Sequence, residues 1–221
     1  MLKRAVFAAV VAFLVVPVGC GDDHEHPSTT DARVNITLES SASALGVDAT
    51  EALLGVTGVE IVPCADGGSA LRRAFGLRTA HAHSTTTATR LGTPAVADLV
   101  TAGTPLLVGV IAPPSVSFCS VRVTYGPADA DAVGMPASRS VLGRTLWASG
   151  ANLRLTTTET RTIDVAVTPF VPGERGRRTE LHVSRSPVDA LAGIDRDPAK
   201  IAETSALVLD RLVQATTART E

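Results

Sequence analysis

Four of the five histidines fall in two His-x-His pairs, His24/His26 and His81/His83, and three cysteines stand apart as Cys20, Cys64 and Cys119. Residues i and i+2 of an extended segment project to the same side, so each pair could offer two imidazoles to one ion. The first pair sits among Asp22, Asp23 and Glu25, a carboxylate and imidazole mixture suited to Cu²⁺ or Zn²⁺. The second, in Ala80-His81-Ala82-His83, adjoins the Ser/Thr run Ser84–Thr89, equally the composition of an exposed loop. His24, His26, His81 and His83 are therefore the candidate ligands for Cu or Zn. His182, on an apolar strand pattern, reads as a structural residue. Asp129 and Asp131 lack the further oxygen ligands of a calcium loop and read as a solvated turn. No Gly-x-Ser-x-Gly elbow, phosphate-cradling glycine loop or His-Glu-x-x-His helix is present, so no catalytic arrangement is expected. Trp147 and Tyr125 are too few for an aromatic binding platform, and Trp147 is expected in the core.

The first residues say where such chemistry would take place. Lys3 and Arg4 precede an apolar run from Ala5 to Val18, the length of a secretory h-region and too short for the roughly 20 residues of a spanning helix. Residues 1–19 are thus a signal peptide. The run ends in Pro17-Val18-Gly19-Cys20, which resembles the lipobox of bacterial lipoproteins, with Pro17 where an aliphatic residue is usual. That resemblance implies a diacylglyceryl thioether on Cys20, cleavage before it and a mature chain anchored in the membrane. Each buried CH₂ of the acyl chains would stabilise attachment by about 0.8 kcal/mol. Gly21 stands where Asp commonly retains such proteins at the inner membrane, which favours the outer one. Residues 20–31, polar and without periodicity, read as the lipidated Cys and a flexible tether.

Length and charge bound the remainder. With 221 residues, 45% hydrophobic and 3% aromatic, a single domain of ordinary size is expected. The formal charge of −2 offers no broad basic field, which excludes nucleic acid as a partner. Loss of residues 1–19 takes away Lys3 and Arg4 from 20 basic residues and none of the 22 acidic ones, so the mature charge falls by two. If Cys20 is lipidated, Cys64 and Cys119 remain as an even pair in an oxidising compartment, and one disulfide is the simplest expectation. Two thiolates in a metal site are the alternative.

The elements that must position these residues are mostly strands. Val34, Ile36 and Leu38 alternate with polar residues between Arg33 and Glu39; Leu53–Val62 is β-branched, with Gly55 and Gly58 marking a bend or bulge and Pro63-Cys64 an end. Leu71–Leu77 fits a strand or a short helix. Leu106–Ile111 and Val116–Tyr125, joined by Ala112-Pro113-Pro114-Ser115, are expected to pair as neighbours. Leu153–Thr158 and Ile163–Val167, joined through Glu159-Thr160, form a second expected hairpin, and Thr179–Ser184 adds a strand. Near the end Asp197 is a candidate N-cap, with Pro198 at the first helical position and Ile201, Ser205, Val208 and Leu212 on one stripe. Six or seven short strands and a closing amphipathic helix predict a mainly β fold, an antiparallel sandwich spanning 32–185 with a linker and packed helix in 186–221.

The segments Val56–Glu60, Asp98-Leu99 and Leu107–Val123, with Phe118 opening the last strand, resemble the prealbumin-like β-sandwich domain of unknown function found in bacterial lipoproteins. The resemblance implies a prealbumin or immunoglobulin-like sandwich without catalytic residues. The whole reads as a non-enzymatic, exported, membrane-anchored envelope lipoprotein acting as a binding or structural module, with envelope proteins as candidate partners. A periplasmic Cu/Zn-handling lipoprotein using the histidine pairs is the contrasting reading.

Overall fold

The computed structural model describes residues 32–39, 49–64, 86–101, 105–174, 177–185 and 189–221. The expected signal peptide, Cys20, the tether and Leu71–Leu77 lie outside them. Eleven described strands form two sheets. The smaller contains β1 (Val34–Leu38), β5 (Leu106–Ile111), β10 (Thr179–Arg185) and β11 (Thr216–Thr220), in the order β11-β10-β1-β5. The larger contains β2 (Glu51–Pro63), β3 (Arg90–Leu91), β4 (Ala95–Asp98), β6 (Phe118–Tyr125), β7 (Leu146–Gly150), β8 (Leu153–Thr157) and β9 (Arg161–Phe170). Its pairing path is β8-β7-β2-β6-β9, with β3 and β4 also on β2. The architecture is thus mainly β and sandwich-like, with helix α1 (Ile201–Gln214) near the C-terminus.

Period-2 alternation builds the core between the sheets. Ile36 and Leu181 from the smaller sheet meet Leu54, Ile61 and Val121 from the larger in one continuous cluster, joined by Leu209 and Leu212 of α1. Each such side chain stabilises the fold by roughly 1.5–3 kcal/mol through the apolar surface it removes from water. Tyr125 is fully buried and ties the layers together: its hydroxyl lies 2.7 Å from Thr216 Oγ1, and the Arg185 guanidinium stacks over its ring at 5.5 Å. A register shift between Val56 and Gly58 is the bulge that the two glycines foretold, and it keeps Val59 and Ile61 on the core side.

The long strand β2 organises the larger sheet. Its first part pairs with β7 through Glu51–Leu54, and its second with β6 through Val56–Pro63. At Gly55 the N–H donates to Thr145 O and the C=O accepts from Gly126 N. In an extended strand both groups of one residue point to the same edge, so β6 and β7 lie end to end along one side of β2. β4 occupies the other side, with Gly55 opposite Val96. β9 pairs with β6 and β8 with β7, so β8 and β9 likewise run end to end.

This arrangement corrects three expectations. β5 and β6 do not pair: β5 joins β1 in the smaller sheet, while β6 sits between β2 and β9. The prolines at 113 and 114 lack N–H donors and carry the chain from one layer to the other instead of turning it back. β8 and β9 form no hairpin either, because residues 158–160 continue one ribbon past the β6/β7 junction. Finally, the sandwich is not wholly antiparallel, since β1 and β10 pair in parallel.

Residues 126–145, which separate β6 from β7, fold back over the outer face of β2, β4 and β7. Leu53, Val96, Ala128, Ala132 and Val141 form a second, smaller core there, with Met135 and Trp147 packed against it. Gly134 lets the chain turn at φ +80°, where a Cβ would stand 2.8 Å from Val96 O.

At the C-terminus Asp197 caps as expected, accepting from Ala199 N at 2.9 Å, but the turn it opens is a 3-10 turn, Pro198–Lys200, ahead of α1. The helix packs on β8 and β9, burying Ser205, Val208 and Leu212. Ser205 Oγ accepts from Thr156 N at 3.0 Å, and Asp210 takes Arg161 Nε at 2.6 Å. The segment after residue 186 supplies more than a helix, because β11 follows it and closes the edge of the smaller sheet.

Candidate functional site

Of the residues singled out by type and spacing, Cys64 and Cys119 are brought together. They are joined as a disulfide across a sequence separation of 55, with Cα atoms 4.9 Å apart, and link the end of β2 to the start of β6. Cys64 N donates to Ser117 O at 2.9 Å, which fixes the strand end. His24, His26, His81 and His83 lie outside the described residues. Among the described residues no group of three or more His, Cys, Asp or Glu could hold a metal ion, and no helix is long and apolar enough to cross a membrane. Asp129 and Asp131 are exposed in a turn, where Ala132 N donates to Asp129 O.

His182 on β10 is held within an ionic cluster. Its Nδ1 lies 2.9 Å from Glu39 Oε1, without the alignment of an N–H···O bond, and its Nε2 is 3.9 Å from Glu221. Arg219 clasps Glu39 through two bonds of 2.7 and 2.8 Å and holds the Glu39 carboxyl below its ordinary value. The cluster staples β11 to β10 and to the residue after β1, a structural task.

Trp147 was expected in the core; it is half-buried on the outer side of the larger sheet. Leu146 and Ala148 take the core side of β7, so the residue between them must face away. Its indole N–H donates to Glu51 Oε2 at 2.7 Å, while Ser138 and Ser140 hydroxyls donate to Glu51 Oε1 at 2.8 and 2.9 Å. Burial pushes the Glu51 carboxyl up, and these three donors together outweigh it, leaving the group below its ordinary value. The guanidinium carbons of Arg144 and Arg154 lie 5.1 and 5.8 Å from the indole centroid, within cation–π range.

Trp147 and Arg154 also line an open cleft of about 800 Å³ between the β7–β8 hairpin and the segment leading into α1. Asn152 and Leu155 belong to the first wall, Asp195 and Ile201 to the second. The far-wall carboxylates are engaged: Asp195 holds Lys200 Nζ at 2.8 Å and Asp197 caps the 3-10 turn. The volume lies within the several hundred Å³ usual for small-molecule sites, and an apolar floor with a few polar groups is their usual lining. Sequence reasoning missed this site because Glu51 and Trp147 stand 96 residues apart and β7 was not foreseen. The usable signal was one tryptophan with Arg144 just before its strand and Arg154 across the short β7–β8 turn. Compared with known protein families, curated proteins and solved structures, the chain matches none.

Proposed function

We propose that this chain is an exported, lipid-anchored module of the bacterial envelope that binds a ligand and performs no catalysis, with a domain of the prealbumin-like sandwich type. The observation that carries the reading is the Cys64–Cys119 disulfide, in a domain that follows the segment read above as an export signal. Structural disulfides belong to oxidising compartments, where a lipoprotein signal ending at Cys20 would deliver the chain. The finer fold reading is supported by Phe118, which opens β6, the central strand onto which the Pro113-Pro114 crossover leads, and which is fully buried against Phe170. Residues 20–31 could hold the domain at most about 40 Å from the bilayer, taking some 3.3–3.6 Å per extended residue.

Metabolic labelling with radioactive palmitate and membrane fractionation test the anchor. The native chain is expected to carry label and stay in the outer-membrane fraction, while Cys20→Ala carries none and is found with soluble periplasmic proteins. An unlabelled native chain in the soluble fraction would refute it.

A further inference from the structure

We infer that the Trp147 cleft is a site for an organic carboxylate, held by Arg154 with Asn152 beside it, a conclusion that rests on reading this cleft as the binding site. Arg154 is exposed, and among the described residues its one recorded partner is the Trp147 ring; no carboxylate or carbonyl takes its N–H donors. Asn152, exposed on the same wall, is likewise without a recorded hydrogen-bond partner among the described residues. By contrast Arg144, the other guanidinium on the indole, is committed to Ser140 O. Glu51 has three donors already, and Asp195 and Asp197 are satisfied by Lys200 and by backbone N–H groups. Arg196 on the far wall has a partner of its own, so among the described residues Arg154 is the guanidinium the cleft leaves open to an anion, with Asp195 and Asp197 across from it already hydrogen-bonded.

A guanidinium matches a carboxylate in bidentate geometry, and its place 5.8 Å from the indole centroid restrains it beside the apolar lining before the anion arrives. The apolar part of the lining, including Trp147, Leu155 and Ile201, asks for a hydrocarbon body on that carboxylate. A bare inorganic anion would leave this surface wet.

Trp147 is the only tryptophan of the chain, so its emission reports occupancy directly. The full chain in neutral detergent is titrated with cyclohexanecarboxylate, with cyclohexanecarboxamide of the same shape, and with inorganic phosphate. The carboxylate is expected to shift the emission saturably, with amide and phosphate each at least about tenfold weaker. Arg154→Gln should weaken the carboxylate by about tenfold or more and leave the amide unchanged. Arg154→Lys, which keeps charge but loses the planar fork, should fall between. Equal binding of carboxylate and amide, or an unaltered titration in Arg154→Gln, overturns the anion assignment while leaving the cleft as a binding site. Phosphate binding as tightly as the carboxylate overturns the assignment to an organic ligand. No response to any of the three removes both the ligand class and the cleft, and leaves the palmitate test of the anchor standing by itself.

Discussion

The outer face of the larger sheet is two surfaces on one set of ribbons, and they are held in different ways. Over β4, β7 and the first part of β2, residues 126–145 lie on the sheet, and the outward positions are Leu53, Val96 and Trp147. Over β6, β9 and the second part of β2 nothing among the described residues covers the sheet. There the outward positions are Glu60, Arg122 and Asp164, an ionic row across three strands, with Arg122 Nε 2.7 Å from Asp164 and its Nη1 3.8 Å from Glu60. The inward residues are equally apolar in both halves. What decides outward polarity is the cover, and the cover is an excursion inserted where a single long strand would otherwise run from β6 into β7.

The bare half carries the covalent bond, and breaking it has the largest expected effect. In the chain-entropy account a loop closed across 55 residues contributes about 4 kcal/mol. Cys64→Ser with Cys119→Ser should lower the urea midpoint accordingly, read by far-ultraviolet circular dichroism. Trp147 emission, which reports the covered half, should move with the same midpoint if the halves unfold together. An unmoved Trp147 transition would divide the sheet into two cooperative units.

Two glycines of β2 give the comparison its sharpest form. A Cβ on Gly55, in the covered half, would stand 2.3 Å from Gly126 O, and backbone on both sides prevents an easy retreat. The three atoms nearest a Cβ on Gly58 all belong to the Arg90 guanidinium, the closest at 3.1 Å, at the far end of a flexible side chain. Overpacking against fixed atoms costs about 1–3 kcal/mol, so Gly55→Ala should destabilise by about 2 kcal/mol or more. Gly58→Ala should stay within roughly 0.5 kcal/mol, since alanine also loses less entropy than glycine in a strand. Equal losses in urea unfolding would show that the excursion does not press on β2.

Much of this was legible in the residues. The alternation in β1, the glycine-marked bulge, the Asp197 cap and the apolar stripe of α1 are local, with their causes within a few positions. The pairing partners were not legible, because Pro113-Pro114 and Glu159-Thr160 break a strand without saying whether the chain turns back, crosses layers or runs on. Short β7 and polar β11, Thr-Thr-Ala-Arg-Thr, carry too little periodicity to announce themselves; their register is imposed by β2, β8 and β10. The Trp147 cleft was hidden for the same reason, its walls coming from positions 147–155 and 194–204. His24, His26, His81 and His83 fall outside what the structure describes, and the chemistry read from them rests on sequence alone.

The ionic row of the bare half should contribute little. Arg122 and Asp164 are 43% and 53% exposed in their side chains, so water and salt screen the pair, and Arg122→Ala should cost about 0.5 kcal/mol or less. A loss above about 2 kcal/mol in thermal unfolding would make the row part of the fold's support and erase the contrast with the covered half.

The smallest effects lie in the acid limb, where the halves should differ in kind. Asp164 is held below its ordinary 3.8 chiefly by the hydrogen bond from Arg122, a charged donor. Glu51 is pushed up by burial and brought below its ordinary 4.5 by the Trp147, Ser138 and Ser140 donors, all neutral. Both folded-state values are depressed, so each carboxylate contributes stability that is fully present above its unfolded value and lost as pH falls through the folded one. For Glu51 the loss begins below about pH 4.5, for Asp164 below about pH 3.8. Comparing Glu51→Gln and Asp164→Asn with the native chain between neutral and acid pH, at low and high salt, separates the two. Asp164→Asn should flatten a part of the acid limb that salt also flattens, because the ion pair is screened. Glu51→Gln should flatten a part that salt leaves in place, since neutral donors under a protein cover are not screened. If salt acted alike on both, the excursion would not be shielding Glu51 from solvent, and the cover that distinguishes the two halves would be open to water.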